Sequence, residues 1–146
     1  MRKSTQELLE VLKRSPSLKN FLIENEDDFA DITLSEFINS FLSQKQLNKS
    51  EVIQSSNLTQ VYGYKILSGE RIPQRDKVLC LAFGLKLNLD ETQRMLKIAA
   101  AGALYPKVRR DSIIMFAIKE HTDLFTCNEM LYELGEDILE VNVSGI

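Results

Sequence analysis

The stretch SSNLTQVYGYKILSGER, residues 55–71, gathers amide, phenol, ammonium and guanidinium groups into one short helix and the turn that follows it. Helical spacing sets Gln60 and Val61 near the start of that helix, with Tyr64 and Lys65 one turn later. No nucleophile stands beside a base in this set. Its chemistry is recognition: a glutamine amide pairs two-pronged with adenine, a valine touches a thymine methyl, and a lysine donates to guanine or to phosphate. Arg71, Arg75 and Lys77 follow and suit backbone phosphates, which fix register without reading sequence. The segment is expected to lie against another molecule, and DNA fits its groups best.

Other chemistries find little to stand on. His121 is the one histidine and has no cysteine or acidic pattern at ligand spacing around it, so no metal site is expected. A position at a helix C-terminus, where partial positive charge is favourable, accounts for it better. No glycine-rich phosphate loop and no serine–histidine–acid arrangement is present, so neither a cofactor nor an enzymatic activity is expected. Cys80 and Cys127 lie far apart inside apolar patterns and read as buried, reduced thiols of a cytoplasmic protein. Lys107, Arg109 and Arg110 form either a second phosphate patch or, the simpler account, a solvated turn into a helix with Asp111 in its first turn.

Charge is distributed unevenly along the 146 residues. The formal net charge is −3, yet residues 45–77 alone carry +3, and the segments before and after carry −3 each. Contact with a duplex is therefore expected only at the basic middle segment. Apolar residues are 44% and charged residues 27%, an ordinary globular composition with enough length for a core. Apolar runs such as Ile113 to Ile118 are too short to span a bilayer, and the opening MRKSTQELLE lacks the apolar region of a signal peptide.

The elements that must position these groups read as helices throughout, so the fold class is all-α. Ser4 with Glu7 and Thr33 with Glu36 are capping boxes, the second ahead of Leu34, Phe37, Ile38, Phe41 and Leu42 at amphipathic spacing. Ser15-Pro16 reads as a cap and first helical position, with Leu18, Phe21 and Leu22 turned inward. The acidic run ENEDDFAD, 24–31, reads as a linker or a solvated helix end. Asn48 with Glu51 caps a short helix carrying Val52 and Ile53, and Thr59 caps the next, which runs to about Leu67. Pro73 opens a helix with Val78, Leu79 and Ala82 inward, and Asn88 with Glu91 caps one carrying Met95, Leu96 and Ala99. RRDSIIMFAIKEH, 109–121, is apolar on nearly every side and so is expected to be buried. A last helix is expected from Thr126, with Glu129 as capping partner and Met130, Leu131, Leu134 and Ile138 as its apolar positions.

Helix 49–56, a turn at Asn57-Leu58 and helix 59–67 have the spacing of a helix-turn-helix, and the sequence resembles the Cro/repressor type, the XRE family with a λ-repressor-like fold. Val52-Ile53 before Asn57-Leu58-Thr59 stand where that family has a Leu-Ala pair before its Gly-Val-Ser turn. SGERIP, 68–73, fits the glycine, basic residue and proline that close the family's recognition helix. RDKVLCLAFGL resembles its fourth helix and NLDETQRML its closing one, so the likeness covers about residues 33–101. LYPKVRRD is similar to a C-terminal extension of some bacterial XRE-type regulators.

The resemblance implies a five-helix domain at 32–101, an N-terminal helical extension at 1–31, and a C-terminal helical hairpin at 102–146. It implies base contacts from Gln60, Val61, Tyr64 and Lys65, and phosphate contacts from Lys49, Thr59, Arg71, Arg75 and Lys77. Two positions depart from the family pattern: Gly63, usually β-branched, and Leu67, usually glutamate. Glycine inside a helix costs about 1 kcal/mol relative to alanine, so a compensation is expected at Gly63. Either two helices approach closely there, or Tyr62 or Tyr64 folds into the space. Leu67 is expected to extend the core. The implied function is operator binding as a homodimer on double-stranded DNA, with the C-terminal hairpin either forming the dimer or effector surface or packing on its own chain. The alternative is a module that keeps the fold but binds a regulatory protein partner.

Overall fold

The computed structural model describes residues 3–25 and 32–139. Among them all regular structure is helical: α1 (Thr5–Arg14), α2 (Leu18–Glu24), α3 (Leu34–Gln44), α4 (Lys49–Ser55), α5 (Gln60–Leu67), α6 (Arg75–Gly84), α7 (Leu89–Ile98), α8 (Arg109–Lys119) and α9 (Leu124–Glu133). The chain divides into two compact units, Met1–Ile32 and Thr33–Ile146.

In the first unit Ser4 and Glu7 close the expected capping box. The cap of α2 lies at Ser17 and not at Ser15, because the Ser17 hydroxyl is the one that accepts from Asn20 N, at 3.3 Å. Phe21 and Asn25 are buried, and Asn25 accepts from Lys3 Nζ at 2.8 Å. Leu18 and Leu22, expected inside, are 67% and 45% exposed. Six of the residues read as a linker, 26–31, lie outside the described residues.

The second unit is organised around α6, where every residue from Val78 to Leu85 is buried. A helix apolar on all faces belongs at the centre of a core. α4, α7 and α9 pack on it, α8 packs on α7 and α9, and α3 packs on α5 and α7. The helix at 109–121, apolar on nearly every side, was also expected to be buried. Phe116 of α8 is instead half exposed, and Asp111, Ile114, Ala117 and Ile118 form its buried stripe. Thr33–Glu36 and Asn88–Glu91 form complete capping boxes, and Asn48 caps α4. The last helix begins two residues earlier than its expected cap: Asp123 Oδ1 accepts from Thr126 N at 2.8 Å, so Thr126 lies inside the first turn. α6 begins at Arg75 after Gln74, which makes no side-chain cap, so Pro73 precedes the helix instead of opening it.

Helix ends follow a recurring pattern. Gln46, Asn57, Lys86, Ala100 and His121 all adopt left-handed backbone, with φ between 53° and 58°. The residue after each donates its amide back across the final turn, as Leu58 N does to Ile53 O at 3.2 Å and Leu87 N to Ala82 O at 3.0 Å. In three of the five that residue is a leucine, Leu47, Leu58 or Leu87, so the stop also turns an apolar side chain toward the core.

The C-terminal helices join the same core: Ile114, Ala117, Leu124, Cys127, Leu131 and Leu139 belong to the hydrophobic cluster that begins at Leu34. Two arginines tie them down. Arg110 grips both carboxylate oxygens of Asp76 at 3.1 and 3.0 Å, and Arg109 Nη1 meets Glu136 Oε2 at 2.7 Å. The sequence left these charges between a phosphate patch and a solvated turn, and the structure uses them as internal ties.

Candidate nucleic-acid interface

α5 stands on three supports. At its start Thr59 Oγ1 accepts from Tyr62 N at 3.1 Å, and Gln60 Nε2 donates to Ser50 O of α4 at 3.1 Å. In its middle Gly63 lies against Ile53, so closely that a Cβ on Gly63 would stand 2.5–2.8 Å from three Ile53 side-chain carbons. Of the two explanations open for this glycine, close helix approach is the one realised, and its packing offsets the weak helix propensity. At the C-terminal end Leu67 O accepts from Ser35 Oγ at 2.5 Å and from Asn39 Nδ2 at 3.0 Å, which anchors α5 to α3. The Ser35–Asn39 pair, one turn apart on α3, has no signature in the sequence that would single it out.

α4 is held as closely on its other side. A Cβ on Gly84 of α6 would overlap Ser56 Oγ and come within 2.8 Å of Val52 O. Ser56 is fully buried and satisfies its hydroxyl by donating to Val52 O at 2.7 Å.

This placement divides α5 into two faces. Tyr62, Gly63, Ile66 and Leu67 are buried, Leu67 in the core as expected. Gln60, Val61 and Tyr64 are exposed, Val61 at 60% and Tyr64 at 46%, with Lys65 partly exposed beside them. The two tyrosines therefore separate. Tyr62 is a core residue whose ring carries Lys77 Nζ at 5.3 Å from its centroid, and burial raises its phenol pKa. Tyr64 turns outward.

The basic residues separate too. Arg71 N donates to Lys65 O at 3.1 Å, so the turn after α5 is tied back and the two cationic residues are neighbours. Lys49 occupies the first position of α4 and is exposed. Among the described residues Lys49, Lys65 and Arg71 enter no ion pair. Thr59 uses its oxygen as an acceptor in the cap and keeps its hydroxyl proton. Arg75 is engaged internally: Nε donates to Gly102 O at 3.2 Å, and Nη2 to Ala103 O at 3.0 Å and to Asp111 Oδ2 at 2.9 Å. Lys77 is committed in part to the Tyr62 ring. The expected phosphate set thus narrows to Lys49, Thr59 and Arg71, because Arg75 and Lys77 have partners within the fold.

No group of His, Cys, Asp and Glu among the described residues has the arrangement of a metal site, and no described helix is long and apolar enough to cross a membrane. Cys80 and Cys127 are buried and unbridged. No family model, curated protein or solved structure matches the chain.

Proposed function

We propose that this chain is a sequence-specific DNA-binding transcriptional regulator of the λ-repressor-like helix-turn-helix type, with α5 entering the major groove. The observation that carries the reading is the outward face of α5. Gln60, Val61, Tyr64 and Lys65 project from a helix held at its start, middle and end. Base readout needs a rigid probe, since each side chain must reach a base edge from a fixed backbone position. Lys49 at the start of α4 and Arg71 in the turn after α5, which enter no ion pair among the described residues, offer cations for the flanking phosphates. One short helix buries little surface, so useful affinity calls for two copies on half-sites about 34 Å apart.

The test is binding to genomic fragments, the protein's own promoter among them, against random duplex at two salt concentrations. With Lys49 and Arg71 from each of two copies on phosphate, affinity falls roughly a hundredfold between about 50 and 200 mM salt. Equal affinity for random duplex, or affinity indifferent to salt, defeats the reading.

A second reading has its own support: the net charge of −3, and the exposure of Ile72 at 74% beside Val61 and Tyr64 on the same segment. An apolar, partly aromatic surface suits a protein partner that docks on the same face. Stoichiometric recovery of one protein, with no DNA retained, favours it over the first.

A further inference from the structure

A groove of about 480 Å³ opens where the end of α4 and the Asn57 turn face α9. Leu124 is buried at its base and Ile138 stands at its edge. Phe125 and Tyr132 line it from α9, 70% and 79% exposed, which leaves two aromatic rings in contact with water. Glu129 lies between them in the chain, and positions 125, 129 and 132 share one face of the helix. Glu129 is the one formally charged residue in the lining; none is basic, and Glu129 enters no ion pair among the described residues.

The wall is built in advance. Asn128 Oδ1 accepts from Leu139 N at 2.7 Å and Arg110 Nη2 donates to Ile138 O at 3.1 Å, so the strip after α9 is pinned on both sides of the groove's edge. A neutral apolar guest would leave the Glu129 carboxylate covered without a partner, and an anion would be repelled. A second copy docked symmetrically on this face would bring Glu129 toward its own counterpart.

We propose that this groove is a binding site for an organic cation with an aromatic or alkyl body. Its charge meets Glu129 and the faces of Phe125 and Tyr132, and its body occupies the apolar floor. The volume falls in the range of small-molecule sites. The proposal concerns occupancy of the groove alone and holds whether or not α5 reads DNA.

The test is an NMR titration of the ¹⁵N-labelled full chain with benzyltrimethylammonium, run beside N-benzylacetamide, a neutral molecule of equal size. The cation produces saturable shifts at residues 54–57 and 124–132, and the neutral molecule binds at least about fivefold more weakly. Glu129→Gln and Tyr132→Ala, both at exposed positions, leave the spectrum folded and weaken the cation about three- to tenfold. Equal binding of the two molecules, indifference to Glu129→Gln, shifts centred elsewhere, or no saturable shift up to about 10 mM overturns the proposal. So does broadening at 125–132 that grows with protein concentration and excludes the cation, since a second copy then owns the groove.

Discussion

Arg75 and Asp111, 36 residues apart, meet at 2.9 Å, while their immediate neighbours Asp76 and Arg110 meet in the opposite sense at 3.0 Å. An Arg-Asp pair near the start of α6 is thereby locked to an Arg-Asp pair near the start of α8 by two crossed ion pairs. The Asp111 side chain is only 5% exposed, and it also accepts from Tyr105 N at 3.0 Å. A carboxylate so placed is tolerable only because it is paired and hydrogen-bonded.

Asp111→Asn removes the charge, keeps the shape and leaves Arg75 facing a neutral amide. It is expected to lower unfolding stability by about 2–3 kcal/mol, read as a shifted urea midpoint with unchanged slope. Arg75→Ala should cost less in the Asp111→Asn background than alone, because the shared ion pair is already lost and only its bonds to Gly102 O and Ala103 O remain to be removed. Full additivity would show that the two are not coupled.

Gly63 is a packing requirement. Gly63→Ala gains helix propensity but drives a methyl into Ile53, and overpacking of that kind costs about 1–3 kcal/mol. The alanine variant is expected to be less stable than the parent, and Ile53→Ala, which removes the clashing carbons, should recover part of the loss when combined with it. A stable Gly63→Ala single variant contradicts the close approach.

If α5 reads DNA as proposed, its charge and its shape are expected to separate in binding assays. Gln60→Ala should relax sequence preference, by about 1–3 kcal/mol at one base position, with the salt slope unchanged. Arg71→Ala should weaken all duplexes alike and reduce the salt slope by about 1 per copy. Arg75→Ala should leave that slope unaltered once its loss of stability is allowed for, since its guanidinium is held by the 102–111 segment. If Gln60→Ala and Arg71→Ala both leave binding intact, α5 is not the reading head.

Cys127 supplies a pH signature. Burial pushes its thiol up from 9.0 to about 12, against the opposing charge of Arg110. The folded chain therefore keeps this proton where the unfolded chain has released it. The associated stability is fully present below pH 9 and is lost as pH rises toward 12, at up to about 1.4 kcal/mol per unit. Cys127→Ala, compared with the parent by denaturant titration under reducing conditions, should show a shallower alkaline decline. Parallel profiles would mean the thiol ionises in place.

The sequence made helix beginnings legible because a cap needs a particular side chain. Ser4, Thr33, Asn48, Thr59 and Asn88 all accept the amides expected of them. Helix endings were harder to see: Gly69 and Gly135 make the left-handed stops after α5 and α9, but elsewhere the stop is made by Gln46, Lys86, Ala100 and His121, residue types that carry no such signal. Asp123 and Thr126 both sit ahead of an apolar run, and the side chain that accepts is that of Asp123. The outward positions of Gln60 and Val61 followed from spacing, whereas which tyrosine faces out was open until the structure placed Tyr62 inside and Tyr64 outside. The internal engagement of Arg75 did not follow from spacing, since a charge pair 36 residues apart is indistinguishable in sequence from two solvated residues.

Where α6 crosses the end of α4, nothing but hydrogen separates the Gly84 backbone from Ser56. One added carbon there would act as a wedge under α4, and α5 rides on α4 through the Gly63–Ile53 seam. The aim of an outward surface is thus calibrated by the thinnest point of the interior, at a position that no guest or partner on that surface would touch.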